Sequence, residues 1–312
     1  MSLQIVRYRP DFAGDWDRFV DAARNGVFLF RRGYMDYHAD RFTDHSLIAT
    51  YKGDPVALFP ANLAGDVLWS HQGLSYGGWI MAQRIGAADM LAIVEAQVAL
   101  LRAEGAASTL LYKAIPHIYA EQCAQDDLYA LHRHGAVLVR RDIGAAINLT
   151  HPIGTDANRR YNVRKALKAG VELGDSRDWA GFHAILSDAL ARHDATPTHS
   201  LAELVLLAER HPANIDLRIA TLNGRTLAGA VVFDTGRVVH TQYLASSAEG
   251  RGVGALDLII EELKTAYAGR RAWLSFGIST EDAGRVLNEG LTEHKEAFGG
   301  RGVVHDFYEL NV

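Results

Sequence analysis

Five groups of residues in this chain have types and spacings that could do chemistry. The first is Glu249-Gly250-Arg251-Gly252-Val253-Gly254-Ala255, which follows a strand-like run and opens a helical one. Glycines let a backbone approach a phosphate closely, and free N–H groups at a helix N-terminus favour anions. Glu249 works against that use, since a carboxylate repels a pyrophosphate, and a glycine-rich turn also serves simply to enter a helix. The second is Lys295, whose cation could stabilise an oxyanion or bind a phosphate. A lysine is by default a solvated surface residue. The third is His240, Gln242 and Tyr243, on the strand just before the glycine stretch. A histidine there could take an ammonium proton near neutral pH. Strict alternation places His240 and Gln242 on one face and Tyr243 on the other, and both His240 and Tyr243 read equally as half-buried strand residues.

The remaining two groups are binding elements by type. Arg159, Arg160, Arg164, Lys165 and Lys168 form a basic run, and at helical spacing Arg160, Arg164 and Lys168 share a face. Such a row suits a diphosphate or a tRNA backbone, because a guanidinium grips phosphate oxygens as a fork; it is equally a solvated helix face. The glycine-framed loop holding His71, Tyr76 and Trp79 could stack on a sugar or base, although aromatic residues are more often core. Neither HExxH nor a paired Cys/His spacing occurs, so no metal is expected.

These residues sit on a duplicated framework. From Ile48 the chain reads IATYKGDPVALFPANLAGDVLWSHQ, and from Ile219 it reads IATLNGRTLAGAVVFDTGRVVHTQY, in register at a constant offset of 171 residues. Gly53 matches Gly224 and Gly65 matches Gly236, so each copy reads as a three-stranded antiparallel meander with turns in the same places. Each meander is followed by an apolar helix (Ala87 to Ala103; Val253 to Tyr267), a short strand (Thr109 to Tyr112; Ala272 to Phe276), a shorter helix and a last strand (Ala136 to Leu149; Val303 to Leu310). A polar helical region from Asn158 to His211 lies between the copies. It is broken at Thr196-Pro197-Thr198-His199, with Ser200 and Glu203 set as a capping box. The 312 residues, 48% hydrophobic and 22% charged, suit two ordinary globular domains, expected at 1–150 and 151–312. A net charge of −5 confines any polyanion site to a local patch. The single cysteine, Cys123, excludes an intramolecular disulfide. No apolar run approaches the length of a membrane span and no basic-then-apolar leader is visible, which sets the expectation of a cytoplasmic protein.

The order of elements and three further stretches resemble a known family. Gly250 to Ala255 resemble the (Gln/Arg)-x-x-Gly-x-(Gly/Ala) loop that holds the pyrophosphate of acyl-coenzyme A in the GNAT superfamily, with Glu249 where that pattern has Gln or Arg. Asn162-Val163-Arg164-Lys165-Ala166-Leu167-Lys168-Ala169-Gly170-Val171 and His294-Lys295-Glu296-Ala297-Phe298-Gly299-Gly300 resemble segments of the FemAB-like transferases, and the loop Ser70 to Gly78 resembles a first-domain loop of their relatives in cell-surface polysaccharide gene clusters. His294 stands where an aromatic residue is common. The resemblance implies an α+β chain of two tandem GNAT-like domains, each a mixed, mainly antiparallel sheet with flanking helices. It implies transfer of an acyl or aminoacyl group to an amine, with an acceptor groove at or near the domain junction. The donor would be acyl-coenzyme A or aminoacyl-tRNA, with no bound prosthetic group. The acceptor would be a small molecule of cell-envelope or nucleotide-diphospho-sugar type. The first domain would hold the acceptor and the second would carry transfer, with Lys295, His240 and Tyr243 as its chemistry. The competing expectation is a non-catalytic pair that binds a nucleotide-linked ligand. In that case Lys295→Ala and His240→Ala leave function intact, and arginine substitutions abolish binding.

Overall fold

A computed structural model describes residues 3–192 and 194–312. The main elements in chain order are β1 (Leu3–Arg7), α1 (Ala13–Ala22), β2 (Leu47–Tyr51), β3 (Asp54–Phe59), β4 (Asn62–Ala64), β5 (Val67–Trp69), β6 (Ile80–Met81), α2 (Ala87–Glu104), β7 (Thr109–Lys113), α3 (Asp126–Arg133) and β8 (Val137–Asn148). They continue with α4 (Ala157–Lys168), β9 (Glu172–Ser176), α5 (Trp179–Ala191), α6 (Leu201–Arg210), β10 (Ile215–Leu222), β11 (Arg225–Asp234) and β12 (Val238–Ser246). The chain ends with α7 (Ala248–Val253), α8 (Ala255–Tyr267), β13 (Trp273–Ile278), α9 (Glu289–Glu296) and β14 (Arg301–Asn311). The sheets are mixed and mainly antiparallel, with helices packed on them.

The chain forms two compact units. Unit 1 takes the chain through Asp142 and then Asp282–Val286 and Val304–Val312, while unit 2 takes Ile143–Glu281 and Leu287–Val303. A single cut near residue 150 does not describe this, because the last strands are exchanged. In unit 1, β7 pairs antiparallel with the chain's final strand, Phe307 opposite Lys113 through Asn311 opposite Thr109. In unit 2, β13 pairs antiparallel with the end of β8, Trp273 opposite Asn148 through Ile278 opposite Gly144.

The second copy of the repeat is the expected meander, β10 to β11 to β12. Its turns need the left-handed backbone that glycine adopts freely, with φ of 73° at Gly224 and 94° at Gly236. The first copy departs from it. Its middle strand stops at Phe59 and resumes at Asn62, across Pro60, which has no N–H to give a ladder. The first half, β3, pairs with β2 and β6, and the second half, β4, pairs with β5.

Each unit has its own core. In unit 1 the apolar face of α2 (Met90, Ile93, Val94, Val98, Leu101) packs with Leu47, Phe59, Trp79 and Tyr112. In unit 2, Leu258, Ile259, Ile260 and Leu263 of α8 pack with Val232, Val239, Leu274 and Phe298. The polar inter-copy region contains three helices and one strand, β9, which its mixed composition does not announce. The capping box at Ser200 and Glu203 is present in full.

Candidate transfer cleft in unit 2

β12 and β13 run parallel for only three pairs: Val238 with Trp273, Val239 with Leu274, and His240 with Ser275. Beyond that point both strands leave regular register. β12 bulges on its other edge, so that Val232 pairs with Thr241 but Val231 with Tyr243, leaving Gln242 as the extra residue. β13 shifts between Ser275 and Ile278, where Gly277 takes a left-handed φ of 69°. A bulge bends its strand and leaves one residue without a register partner. His240 and Ser275 therefore stand where the two strands part.

The bulge corrects the expected facing of Tyr243. His240 lies opposite Phe233 and Tyr243 opposite Val231, two residues apart on the unbulged β11, and directly opposite residues share a face. His240 and Tyr243 are thus on the same side of the sheet. His240 Nδ1 lies 3.2 Å from Ser275 Oγ, and Thr241 Oγ1 donates to the Ser275 carbonyl at 3.2 Å. The Tyr243 hydroxyl accepts the His199 backbone N–H at 3.1 Å and lies 2.8 Å from His199 Nδ1. Burial pushes the Tyr243 phenol up. Ser275 and His199 had no distinguishing sequence signal: one is a serine in an apolar strand, the other one of fourteen histidines.

Lys295 lies in the last turn of α9 and is buried. Its Nζ donates to the carbonyls of Gly277 (3.0 Å) and Ile278 (2.6 Å) and to Ser279 Oγ (2.8 Å). An ammonium has three protons, and these three contacts use all of them. Burial brings its pKa down from 10.5 to about 8, so it remains mostly charged at neutral pH. The rest of its motif is structural. Phe298 is fully buried beside Phe276. Gly299, at φ 93°, passes so close to Ile153 that a Cβ would lie 2.2 Å from its carbonyl oxygen. His294 packs edge-on against Phe298, and burial followed by the Arg159 charge lowers its pKa.

The glycine stretch is a helix corner. Ser247 caps α7 by accepting the Gly250 N–H at 3.0 Å, and Gly254, at φ 82°, ends α7 and starts α8. Gly250 and Gly254 are both required by contact, since a Cβ on them would lie 2.4 Å from the Leu227 carbonyl oxygen and 2.6 Å from that of Asn162. The chain's own groups already occupy the polar positions. Lys165 Nζ donates to the Gly252 carbonyl at 2.5 Å, Arg251 donates to the Ser246 carbonyl at 2.8 Å, and Glu249 pairs with Arg225 at 2.8 Å. Asp257 places a buried carboxylate in the first turn of α8, where it pairs with Arg159 at 3.2 Å. Val253 and Ala255 pack into the unit 2 core.

The basic run divides by helix face. Arg159 points inward to Asp257 and lies over the Phe298 ring at 5.4 Å. Arg160 and Arg164 are exposed, and Arg160 also donates to the Thr155 carbonyl. The unit 1 loop residues are interior. Trp79 is fully buried, gives its indole N–H to Gln97 at 3.0 Å and packs 5.1 Å from the Phe59 ring, which makes it a core residue and not an open stacking surface. Tyr76 is buried against Tyr119 with ring centroids 4.4 Å apart. His71 is buried in a left-handed conformation and stacks on His38 at 5.2 Å.

Among the described residues no group of three or more His, Cys, Asp or Glu side chains is placed to hold a metal ion. No described helix is long and apolar enough to cross a membrane.

Comparison with known proteins agrees with this architecture. Residues 157–295 match the model of the acetyltransferase (GNAT) domain. The structure of FemX superposes with a TM-score of 0.72 at 12% identity, covering 99% of this chain and 97% of that one. L-PGS from Bacillus licheniformis gives 0.63 at 13% identity, covering 98% and 92%. A tandem GNAT protein from the clavulanic acid biosynthesis pathway gives 0.54 at 12% identity, covering 99% and 98%. Comparison with curated protein sequences finds no significant match. At these identities the structural likeness is one of fold.

Residues 157–295 thus carry the acetyltransferase (GNAT) domain pattern. Over nearly its whole length the chain shares the fold of FemX and of that tandem GNAT protein.

Proposed function

We propose that this chain transfers an acyl or aminoacyl group to the amine of a small-molecule acceptor of cell-envelope or nucleotide-sugar type, at the point where β12 and β13 stop pairing. The observation that carries the proposal is the end of strand pairing at His240 and Ser275, with both strands bulging just beyond. His240 is the general base: it takes the ammonium proton of the acceptor, and Ser275 holds its other ring edge. Tyr243, held by His199, is the second proton-carrying group on the same face. The bulge at Gln242 supplies main-chain groups beside His240 that can polarise the donor carbonyl. Lys295 is a positioning residue, because direct contact with an oxyanion would require it to give up one of its three bonds.

For the donor, an aminoacyl ester such as aminoacyl-tRNA fits better than acyl-coenzyme A held at the glycine stretch. A pyrophosphate there would meet Asp257 and Glu249, and anions at a helix start repel one another. The exposed Arg160 and Arg164 remain the candidate contacts for a phosphate backbone. The test is purified protein incubated with charged tRNAs or with acetyl-coenzyme A and a panel of amines, with products read by mass spectrometry. His240→Ala should lower turnover by roughly 10²–10⁴-fold with the fold intact. Transfer from acetyl-coenzyme A alone would overturn the donor assignment, and full activity in His240→Ala would overturn the site.

A further inference from the structure

Unit 1 repeats the parting of strands found in unit 2. β5 and β7 run parallel for three pairs, Val67 with Thr109, Leu68 with Leu110 and Trp69 with Leu111, and regular pairing then stops. The position that in unit 2 holds the His240 cleft is here closed by the loop from Ser70 to Gly77, with Lys113 on the β7 side.

Lys113 is only 6% exposed. Its Nζ donates to the carbonyls of Leu74 and, at 3.3 Å, Gln72. The charged group that acts on it is another cation, the Arg140 guanidinium. His71 is 4% exposed, and its Nδ1 has no hydrogen-bond partner among the described residues. Burial, and then the neighbouring His38, Lys113 and Arg32, lower the His71 pKa to about 3, so its ring is neutral and can offer an N–H to an anion. A buried ammonium and a buried, unpaired ring nitrogen thus lie in one enclave, neither with a carboxylate partner of its own among the described residues, while the nearby Arg32 and Arg140 are paired with Asp36, Asp44 and Asp142. Burying a cation without a counter-charge is costly, and proteins normally supply one.

We propose that Lys113 and His71 form an anion-binding subsite in unit 1, which takes a phosphate or carboxylate group. The loop that covers Lys113 is at the surface, with Gln72 and Ser75 exposed, and an entering anion replaces the Leu74 and Gln72 carbonyls on the ammonium. Burial brings the Lys113 pKa down to about 7, so the group gains a proton readily once an anion arrives.

The test uses the full chain and two probes, inorganic phosphate and acetate, at matched ionic strength against chloride. Thermal unfolding and calorimetry are the readouts. A probe at ten times its dissociation constant shifts the folding equilibrium about 11-fold and raises the melting temperature. Phosphate stronger than acetate identifies a phosphorylated ligand, and the reverse order identifies a carboxylic one. Lys113→Met should abolish the response while leaving the unliganded protein as stable as wild type or more so, since an apolar chain of similar length replaces an unpaired buried charge. His71→Asn, which keeps a residue that tolerates the left-handed backbone, should weaken binding about tenfold. The proposal is overturned if wild type does not respond to either probe, or if the response survives in Lys113→Met. A response lost in Arg164→Ala and kept in Lys113→Met would place the anion on α4 and overturn it as well. Transfer activity measured in parallel keeps the two readings separate, because an enzyme active on amines without an anion response sinks only the subsite.

Discussion

Lys295→Met distinguishes an ammonium that serves the frame from one that projects into the cleft. In the folded chain Lys295 titrates at about 8, against 10.5 for an unburied lysine, and burial is the cause. At 1.36 kcal/mol per unit this depression corresponds to about 3 kcal/mol of differential interaction. Between pH 8 and 10.5 the unfolded chain binds more protons at this group than the folded one, so stability rises with pH over that window. The contribution is complete above 10.5 and is lost as pH falls through about 8. The methionine variant has no proton to release and lacks that rise. The absolute gap at pH 7 depends on how the Gly277 and Ile278 carbonyls find other donors, but its change with pH does not. Urea denaturation of both proteins from pH 7 to 10.5 should therefore show wild type gaining up to about 3 kcal/mol over the variant, because every other titrating group cancels in the difference. Parallel stability curves would refute the buried staple. Parallel curves together with lost turnover would return Lys295 to direct oxyanion contact.

Three further outcomes are expected. Gly254→Ala should cost more than about 1–2 kcal/mol, the usual penalty for a left-handed backbone, because the added methyl also meets the Asn162 carbonyl oxygen at 2.6 Å; a urea midpoint equal to wild type would mean that the α7–α8 corner relaxes freely. Trp79→Ala should lose about 3–5 kcal/mol by opening a core cavity, while KM for the acceptor stays unchanged in the folded fraction. A selective rise in KM would restore Trp79 as a substrate contact. Asp257→Ala leaves the Arg159 guanidinium without its carboxylate and should cost about 2 kcal/mol, less than a fully buried pair because Arg159 is partly exposed. A neutral effect in chemical denaturation would show that Asp257 is free to leave the α8 terminus to an incoming anion.

The parts of the fold that were legible in the sequence are those fixed by local chemistry. Glycines at 53, 65, 224 and 236 all take left-handed φ, so their equal spacing in the two copies reported real turns. Ser200 and Glu203 form the capping box because both partners lie within one helical turn. What stayed hidden depends on distant pairing. The bulge at Gln242 is set by β11 and is not written in β12, yet it moves Tyr243 to the His240 face. The exchange of last strands follows from β7 and β13 choosing partners far away in sequence. The apolar stripe from Val253 to Tyr267 reads as one helix because its spacing runs through Gly254, and only the approach of Asn162 forces the break there. Burial was the other hidden quantity: Trp79 and Tyr76 have the side chains of a stacking platform, but the unit 1 interior takes them.

The residues with the most diagnostic spacing build the cleft, and unremarkable ones occupy it. Lys295 fixes the carbonyls of Gly277 and Ile278 at the end of β13, Phe298 anchors the following turn in the core, and Gly299 lets that turn pass under Ile153. Each is needed at one place because its size, charge or backbone freedom has no substitute there, and that makes a pattern readable. His240 and Ser275 are a histidine and a serine on two strands, and they stand out only because parallel pairing stops at them. The same stop occurs in unit 1 after Trp69 and Leu111, where the space holds a buried lysine and an unpaired histidine nitrogen. The same end of parallel pairing thus occurs once in each unit. A histidine beside a hydroxyl is equipped to exchange a proton, whereas a buried ammonium without a carboxylate partner of its own is equipped to meet an anion, so one strand geometry carries two different chemistries.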